Sequence, residues 1–217
     1  LKIMLFTRKI CWVLLTISLI LMVAGFLAIL IKPVQGESYL IRESIENYIR
    51  LFSLVGEANI PTWFSSILLF FAACILITIS YLTKVQRAPD VGYWAVLAFI
   101  FVCLSIDEAS SIHEMAVTPV RDGFGLTGYL YYGWVVPGVI FFLIISSIYF
   151  RFVMSLPNKI KRLIIASGAL YIFGALIIES LSAKIYTDIQ SIFVYDIATI
   201  FEKVFKMCGI ILFIYPF

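Results

Sequence analysis

Six separate stretches of this chain are each about 20 residues long and almost wholly apolar, the length an α-helix needs to cross the hydrocarbon core of a bilayer. They fall at 10–31, 63–83, 93–113, 130–150, 163–183 and 197–217. Hydrocarbon offers no partner to a backbone N–H or C=O, so a run of this kind must satisfy its own backbone, and a helix does that. Composition agrees. The chain is 63% hydrophobic and 13% charged, with a mean hydropathy of +1.07, whereas a soluble domain carries about 25% charged residues. So little charge cannot cover a water-facing surface. A disordered protein, a secreted disulfide scaffold and an ordinary cytosolic enzyme are excluded. The expected fold is all-α, a polytopic transmembrane helix bundle of about six spans, with residues 1–217 forming a single integral membrane domain.

The basic residues orient the bundle, because segments that stay inside are enriched in Lys and Arg. With the N-terminus inside, the inner segments hold Lys2, Arg8, Lys9, Lys84, Arg87, Arg151, Lys159, Lys161 and Arg162 against the single acid Asp90. The outer segments hold Glu37, Glu43, Glu46, Glu57, Asp122, Asp188 and Asp196 against Lys32, Arg42, Arg50, Arg121 and Lys184. Both chain ends are therefore expected inside. The net charge of +3 then reports topology, and neither nucleic acid nor nucleotide is an expected partner. The first span follows basic residues as a signal peptide would, but its apolar run is longer than the usual 7–15 residues and no small-residue cleavage site follows it, so it reads as a retained helix. Cys11, Cys74, Cys103 and Cys208 stand in four different spans with no CxxC spacing, which is the pattern of small polarizable core residues.

Two connections carry information. In 38–56, Ile41, Ile45, Tyr48, Ile49 and Phe52 recur at helical spacing with Arg42, Glu43, Glu46 and Arg50 between them. This predicts an outer amphipathic helix, lying on the membrane face or docking a partner. After the third span, Gly123, Gly125 and Gly128 spell GxGxxG. The dinucleotide fingerprint needs a strand before it and a βαβ unit around it. A membrane span precedes this one and the aromatic belt of Tyr129, Tyr131, Tyr132 and Trp134 follows it, so the segment is expected to be a flexible outer loop.

Ionisable residues inside spans are costly and serve a purpose. The third span ends with Asp107, Glu108, Ser110, Ser111, His113 and Glu114, and His113 is the single histidine of the chain. On one continuous helix at about 100° per residue, Asp107 and Glu114 share a stripe with Ser110 and Ser111, while Glu108 and His113 flank it. Glu179 lies in the fifth span and Glu202 in the sixth, followed by Lys203 and Lys206. At 1.5 Å per residue Glu108 and Glu179 both lie about 22–24 Å from the inner edge, and Glu202 falls within about one turn of that level. Three helices should thus bring carboxylates together in the outer part of the membrane, with Lys206 placed i+4 from Glu202 for an ion pair.

Crowded carboxylates in low dielectric take up protons, pair, or bind a cation, and three uses stay open. One is a divalent transition metal held by His113, Glu114, Glu108, Glu179 and Glu202. One is a proton or cation pathway. One is a structural polar knot that sets helix register. No GxSxG or HExxH occurs. The run Leu104–Ala109 (LSIDEA) followed by His113-Glu114, together with Phe201–Gly209 in the last span, resembles uncharacterised bacterial polytopic membrane proteins with a DEA...HE motif in a central transmembrane helix. Lys203 and Lys206 stand where those proteins carry further acids. The resemblance implies a bacterial cytoplasmic or related energy-transducing membrane and no particular activity. The functional expectation is an accessory or assembly subunit of a larger membrane complex, whose partners are the lipid bilayer and other membrane protein subunits. The alternative is a metal-dependent membrane enzyme or a proton- or cation-coupled carrier using the acidic cluster.

Overall fold

The computed structural model describes residues 2–31 and 38–217, with the side chains of 2–6 left out. Lys32, Glu37 and the side chain of Lys2, counted in the charge balance above, lie outside the described residues. Every regular element among the described residues is helical: α1 (Lys2–Leu30), α2 (Tyr39–Phe52), α3 (Ile60–Val85), α4 (Val91–Ser110), α5 (Val117–Phe124), α6 (Val135–Ser155), α7 (Asn158–Ile172), α8 (Glu179–Lys184) and α9 (Ile192–Ile214). Five helical runs are long and apolar enough to cross a membrane: Thr7–Leu30, Ile60–Val85, Val91–Ser110, Val135–Ser155 and Asn158–Ile189. The chain is an integral membrane protein on that ground. The last helix, α9, spans 23 residues but carries Glu202, Lys203 and Lys206 near its middle, all three buried.

The structure gives the central place in the bundle to α9. Eleven residues of α9 are buried, while α4 buries only Trp94, Ala98, Ser105 and Glu108. Small residues let the backbones close on it. A Cβ on Gly174 would stand 2.8 Å from the Glu202 carbonyl oxygen, and one on Gly209 would stand 2.8 Å from the Tyr171 amide nitrogen. Close approach of this kind is how membrane helices gain packing contact where apolar lipid offers no hydrophobic incentive to associate. α3 and α4 form a tight antiparallel hairpin. Ser66 Oγ donates to the Ser105 carbonyl at 2.8 Å and Ser105 Oγ donates back to the Ser66 carbonyl at 2.9 Å.

Three expectations change. The fifth span, read as 163–183, is one continuous run over Asn158–Ile189, because π-helical turns at Phe173–Ile178 and Ile185–Ile189 carry it past Glu179. The glycine segment is only partly a loop. Val117–Phe124 is a short helix closed by Gly125 at φ +60°, and Gly128 at φ +59° opens the next turn. Both are left-handed positions that glycine adopts without a Cβ clash. The third span, read as running to His113, ends at Ser110. Ser111 takes φ 51°, a left-handed conformation that breaks the helix, and Ile112–Ala116 continues as a 3-10 turn. The amphipathic segment does form a helix, α2. Its predicted apolar stripe is partly covered through Ile45, Tyr48, Ile49 and Phe52, and Tyr48 donates to the Ala24 carbonyl of α1 at 2.9 Å.

Candidate functional site

The break at Ser111 rearranges the predicted polar stripe. On a continuous helix Asp107 and His113 would face different ways. With the turn in place the chain folds back, and Asp107 receives two bonds from residue 113. The His113 backbone N–H donates to Oδ1 at 2.8 Å, and His113 Nδ1 lies 3.0 Å from Oδ2. The carboxylate thus caps an amide left unpaired at the start of the 3-10 turn that follows α4. The same turn corrects three placements. Glu114 and Ser110 are exposed, and Ser111 serves as the turn itself, so none of the three joins a stripe with Asp107. The His113 ring packs edge-on against Trp134, with centroids 4.9 Å apart.

One residue further on, Glu108 enters the interior, its side chain 4% exposed. Its Oε2 lies 2.9 Å from Lys206 Nζ and its Oε1 lies 3.8 Å from Lys203 Nζ. Lys206 also reaches Glu202 at 3.8 Å, the predicted i+4 pair. Lys203 makes its shortest contact, 2.6 Å, to Glu57 Oε1. The core is therefore a chain of alternating charges: Glu57, Lys203, Glu108, Lys206, Glu202. Burying one charge is prohibitive, and a well-formed network makes it tolerable by giving each charge a close opposite partner. Glu108 Oε1 and Ser65 Oγ are both fully shielded, and the Ser65 hydroxyl lies beside the Glu108 carboxylate.

Glu179 borders this network without an ion pair of its own. The Trp134 indole N–H donates to its Oε1 at 2.6 Å, and among the described residues it makes no ion pair. The three carboxylates predicted to converge from helix depth lie near one another: Glu108 and Glu202 share Lys206, and Glu179, held by Trp134, is close enough to Glu202 and Lys206 to interact with both. His113 belongs to a neighbouring Asp107 pair. The five residues offered as metal ligands therefore do not act as one set. Two of them hold lysine ammoniums, one faces outward, and no group of three or more His, Cys, Asp or Glu among the described residues could hold a metal ion.

Glu57 and Trp134 were absent from the sequence-derived set. Glu57 lies in the segment before α3, which Asn59 organises. The Asn59 side chain accepts from the Thr62 amide at 3.0 Å and donates to the Ser53 and Gly56 carbonyls at 2.6 Å each. The pairing of Glu57 with Lys203, 146 residues apart, left no sign in the sequence. Trp134 read only as an interface aromatic. Nearby, Tyr132 donates to the Tyr195 hydroxyl at 3.0 Å. Burial, reinforced by that bond, raises the Tyr132 hydroxyl well above its usual range.

Beside the ionic core runs a cavity of about 510 Å³ between α4, α6, α7 and α9. Asp107, Glu108, His113, Trp134 and Lys206 line one part of it, and the rest is mostly apolar, with Ser146, Ser167, Tyr149 and Tyr171 among the lining side chains.

The chain belongs to the family described as Domain of unknown function (DUF8692), which matches residues 14–217 and so includes every residue of the site. No curated protein and no solved structure matches the chain.

Proposed function

We propose that this is a six-span membrane protein with both ends on the inner side, acting as an accessory or assembly subunit of a larger membrane complex in a bacterial cytoplasmic or related energy-transducing membrane. The observation that carries this reading is the way the buried charges are used. Glu108 and Glu202 are matched by lysines of α9, and Glu57 ties the outer connection to the same network. Such a network sets helix register. The basic excess on the connections assigned to the inner side supports the orientation. The exposed apolar stripe of α1, with Trp12 at 70%, Leu19 at 56% and Ile20 at 60% exposure, supplies lipid- or partner-facing surface, and α2 suits the outer interface.

The test is to tag the chain at native expression, extract it in mild detergent, and identify what co-migrates on a native gel. An assembly with defined partner subunits is expected, weakened by Ile20→Arg while the extracted chain keeps its melting temperature. Migration as a lone chain under every mild extraction would sink the reading.

A second reading, a proton- or cation-coupled carrier, draws support from Glu179 alone, the buried acid held by Trp134 without an ion pair. Proteoliposomes with an internal pH dye discriminate. Proton flux lost in Glu179→Gln, with assembly intact, would put the carrier first.

A further inference from the structure

We propose that Glu179 is a proton-binding site, a carboxyl group that holds at neutral pH the proton required by the charge balance of the ionic core.

The charges around α9 do not balance. Glu57, Glu108, Glu179 and Glu202 stand against Lys203 and Lys206. Asp107 is met separately by His113, at 3.0 Å. Glu57 lies at the edge of the network with its side chain 22% exposed, where water helps to carry its charge. Glu108, Glu179 and Glu202 then share two ammoniums, and Lys203 already makes its shortest contact, 2.6 Å, with Glu57. An unmatched carboxylate in low dielectric is costly, and it escapes the cost by taking a proton.

Geometry selects Glu179 for that proton. Glu108 lies 2.9 Å from Lys206 and 3.8 Å from Lys203, and Glu202 lies 3.8 Å from Lys206. Glu179, inside the membrane-crossing run Asn158–Ile189, has no ammonium in ion-pair contact among the described residues. The donor it has is neutral, the Trp134 indole N–H, 2.6 Å from Oε1. A carboxylic acid suits that partner: one oxygen still accepts from the indole while the other carries the proton. The charged groups that face Glu179 all come from α9. Lys203 and Lys206 favour its anion, each from closer contact with another carboxylate, and Glu202 opposes it. The remaining titratable neighbours, Tyr132 and Tyr195, are hydroxyls bonded to each other at 3.0 Å and supply no counter-charge. An alkali cation suits the place less well, because it would meet Lys206 and the positive edge of the indole N–H.

The backbone explains how the acid comes to be there. Phe173–Ile178 is a π-helical turn immediately before Glu179. It packs on α9, where a Cβ on Gly174 would stand 2.8 Å from the Glu202 carbonyl oxygen. Turns of this kind inside α-helices recur at functional sites. Loss of the proton would give Lys206, already shared by Glu108 and Glu202, a third carboxylate nearby.

Infrared absorption of the purified full chain in an ester-free detergent tests the proposal, because a protonated carboxyl shows a C=O band that an ionised carboxylate lacks. At neutral pH the band is expected in the parent, moved to lower frequency in D2O, and lost in Glu179→Gln. If Glu179→Gln does not fold, Trp134→Phe keeps the acid but frees its carbonyl from the indole, and the band should move to higher frequency. A parent without the band would overturn the proposal, and a bound alkali cation would show itself in that way, since it needs the carboxylate ionised. A band unchanged by Glu179→Gln, or by Trp134→Phe where that variant stands in, would overturn it too. The inference deepens the carrier reading by naming the ligand of Glu179, yet its readout needs neither flux nor a partner subunit. A band without proton flux in proteoliposomes would keep the site and remove the carrier, and failure here leaves the accessory reading standing.

Discussion

Asp107 and Glu108 are sequence neighbours on α4 that belong to two different regions. Glu108 points into a core where its charge is met by two lysines of one other helix, α9. Asp107, with a side chain 30% exposed, holds a histidine six residues away at the rim of a cavity. The first region is bound by long-range charge pairs and cannot lose a member without stranding another. The second is made by a local turn and borders space. The difference teaches that a carboxylate in a span acquires its role from what faces it, because in low dielectric a partner's presence outweighs the residue's own preference.

The comparison is broken most violently by Lys206→Met. It leaves Glu108 and Glu202 without their shared ammonium, and removal of one partner from a buried pair costs about 3–5 kcal/mol. Thermal denaturation in detergent should show the chain unfolding far earlier or failing to accumulate. The double variant Glu108→Leu with Lys206→Met should recover most of that loss, since apolar replacement of both partners is often neutral. If the double variant is worse than the single, the network is not a matched pair at all.

Trp134→Phe tests the border between the regions. It removes the donor to Glu179 while keeping an aromatic ring against His113, so a loss of about 1–3 kcal/mol is expected, the cost of an unsatisfied buried acceptor. Asn59→Ala should cost about 0.5–2 kcal/mol as a lost helix cap, and limited proteolysis should find the segment holding Glu57 cut sooner. Asp107→Asn should cost under about 1 kcal/mol in a thermal melt, because the pair it weakens is part-exposed. A stability loss as large as that of Lys206→Met would reverse the division between core and rim.

The smallest effect is one of pH. Tyr132 holds its proton more tightly when folded than when unfolded, so its contribution is complete below its unfolded pKa of about 10 and is lost progressively as pH climbs above it. Tyr132→Phe should flatten that alkaline loss in a pH series of melting temperatures.

Much of the architecture was legible in the residues. Apolar runs long enough to span hydrocarbon became long helices, and the 3.6-residue stripe in 38–56 became α2. The i+4 spacing of Glu202 and Lys206 became a contact. Depth counted along each helix brought Glu108 and Glu202 to one place. The wheel drawn through Asp107 and Glu114 failed, because it assumed a helix that Ser111 ends at φ 51°. Serine gives no local sign of adopting a left-handed turn, unlike the glycines that do so at Gly125 and Gly128.

The sequence by itself determined that this chain is helical and membrane-embedded, and which residues would have to hide their charge. Those properties depend on hydropathy and on the backbone's need to bond to itself, and both are local. Tertiary structure decided that α9 is the central helix, that Glu57 closes on Lys203, that Trp134 holds Glu179, and that His113 turns back to Asp107 beside a cavity. Those are pairings between distant segments and one strained turn. They are chosen by which arrangement leaves the fewest buried groups unpaired, a property of the whole bundle and of no single stretch within it.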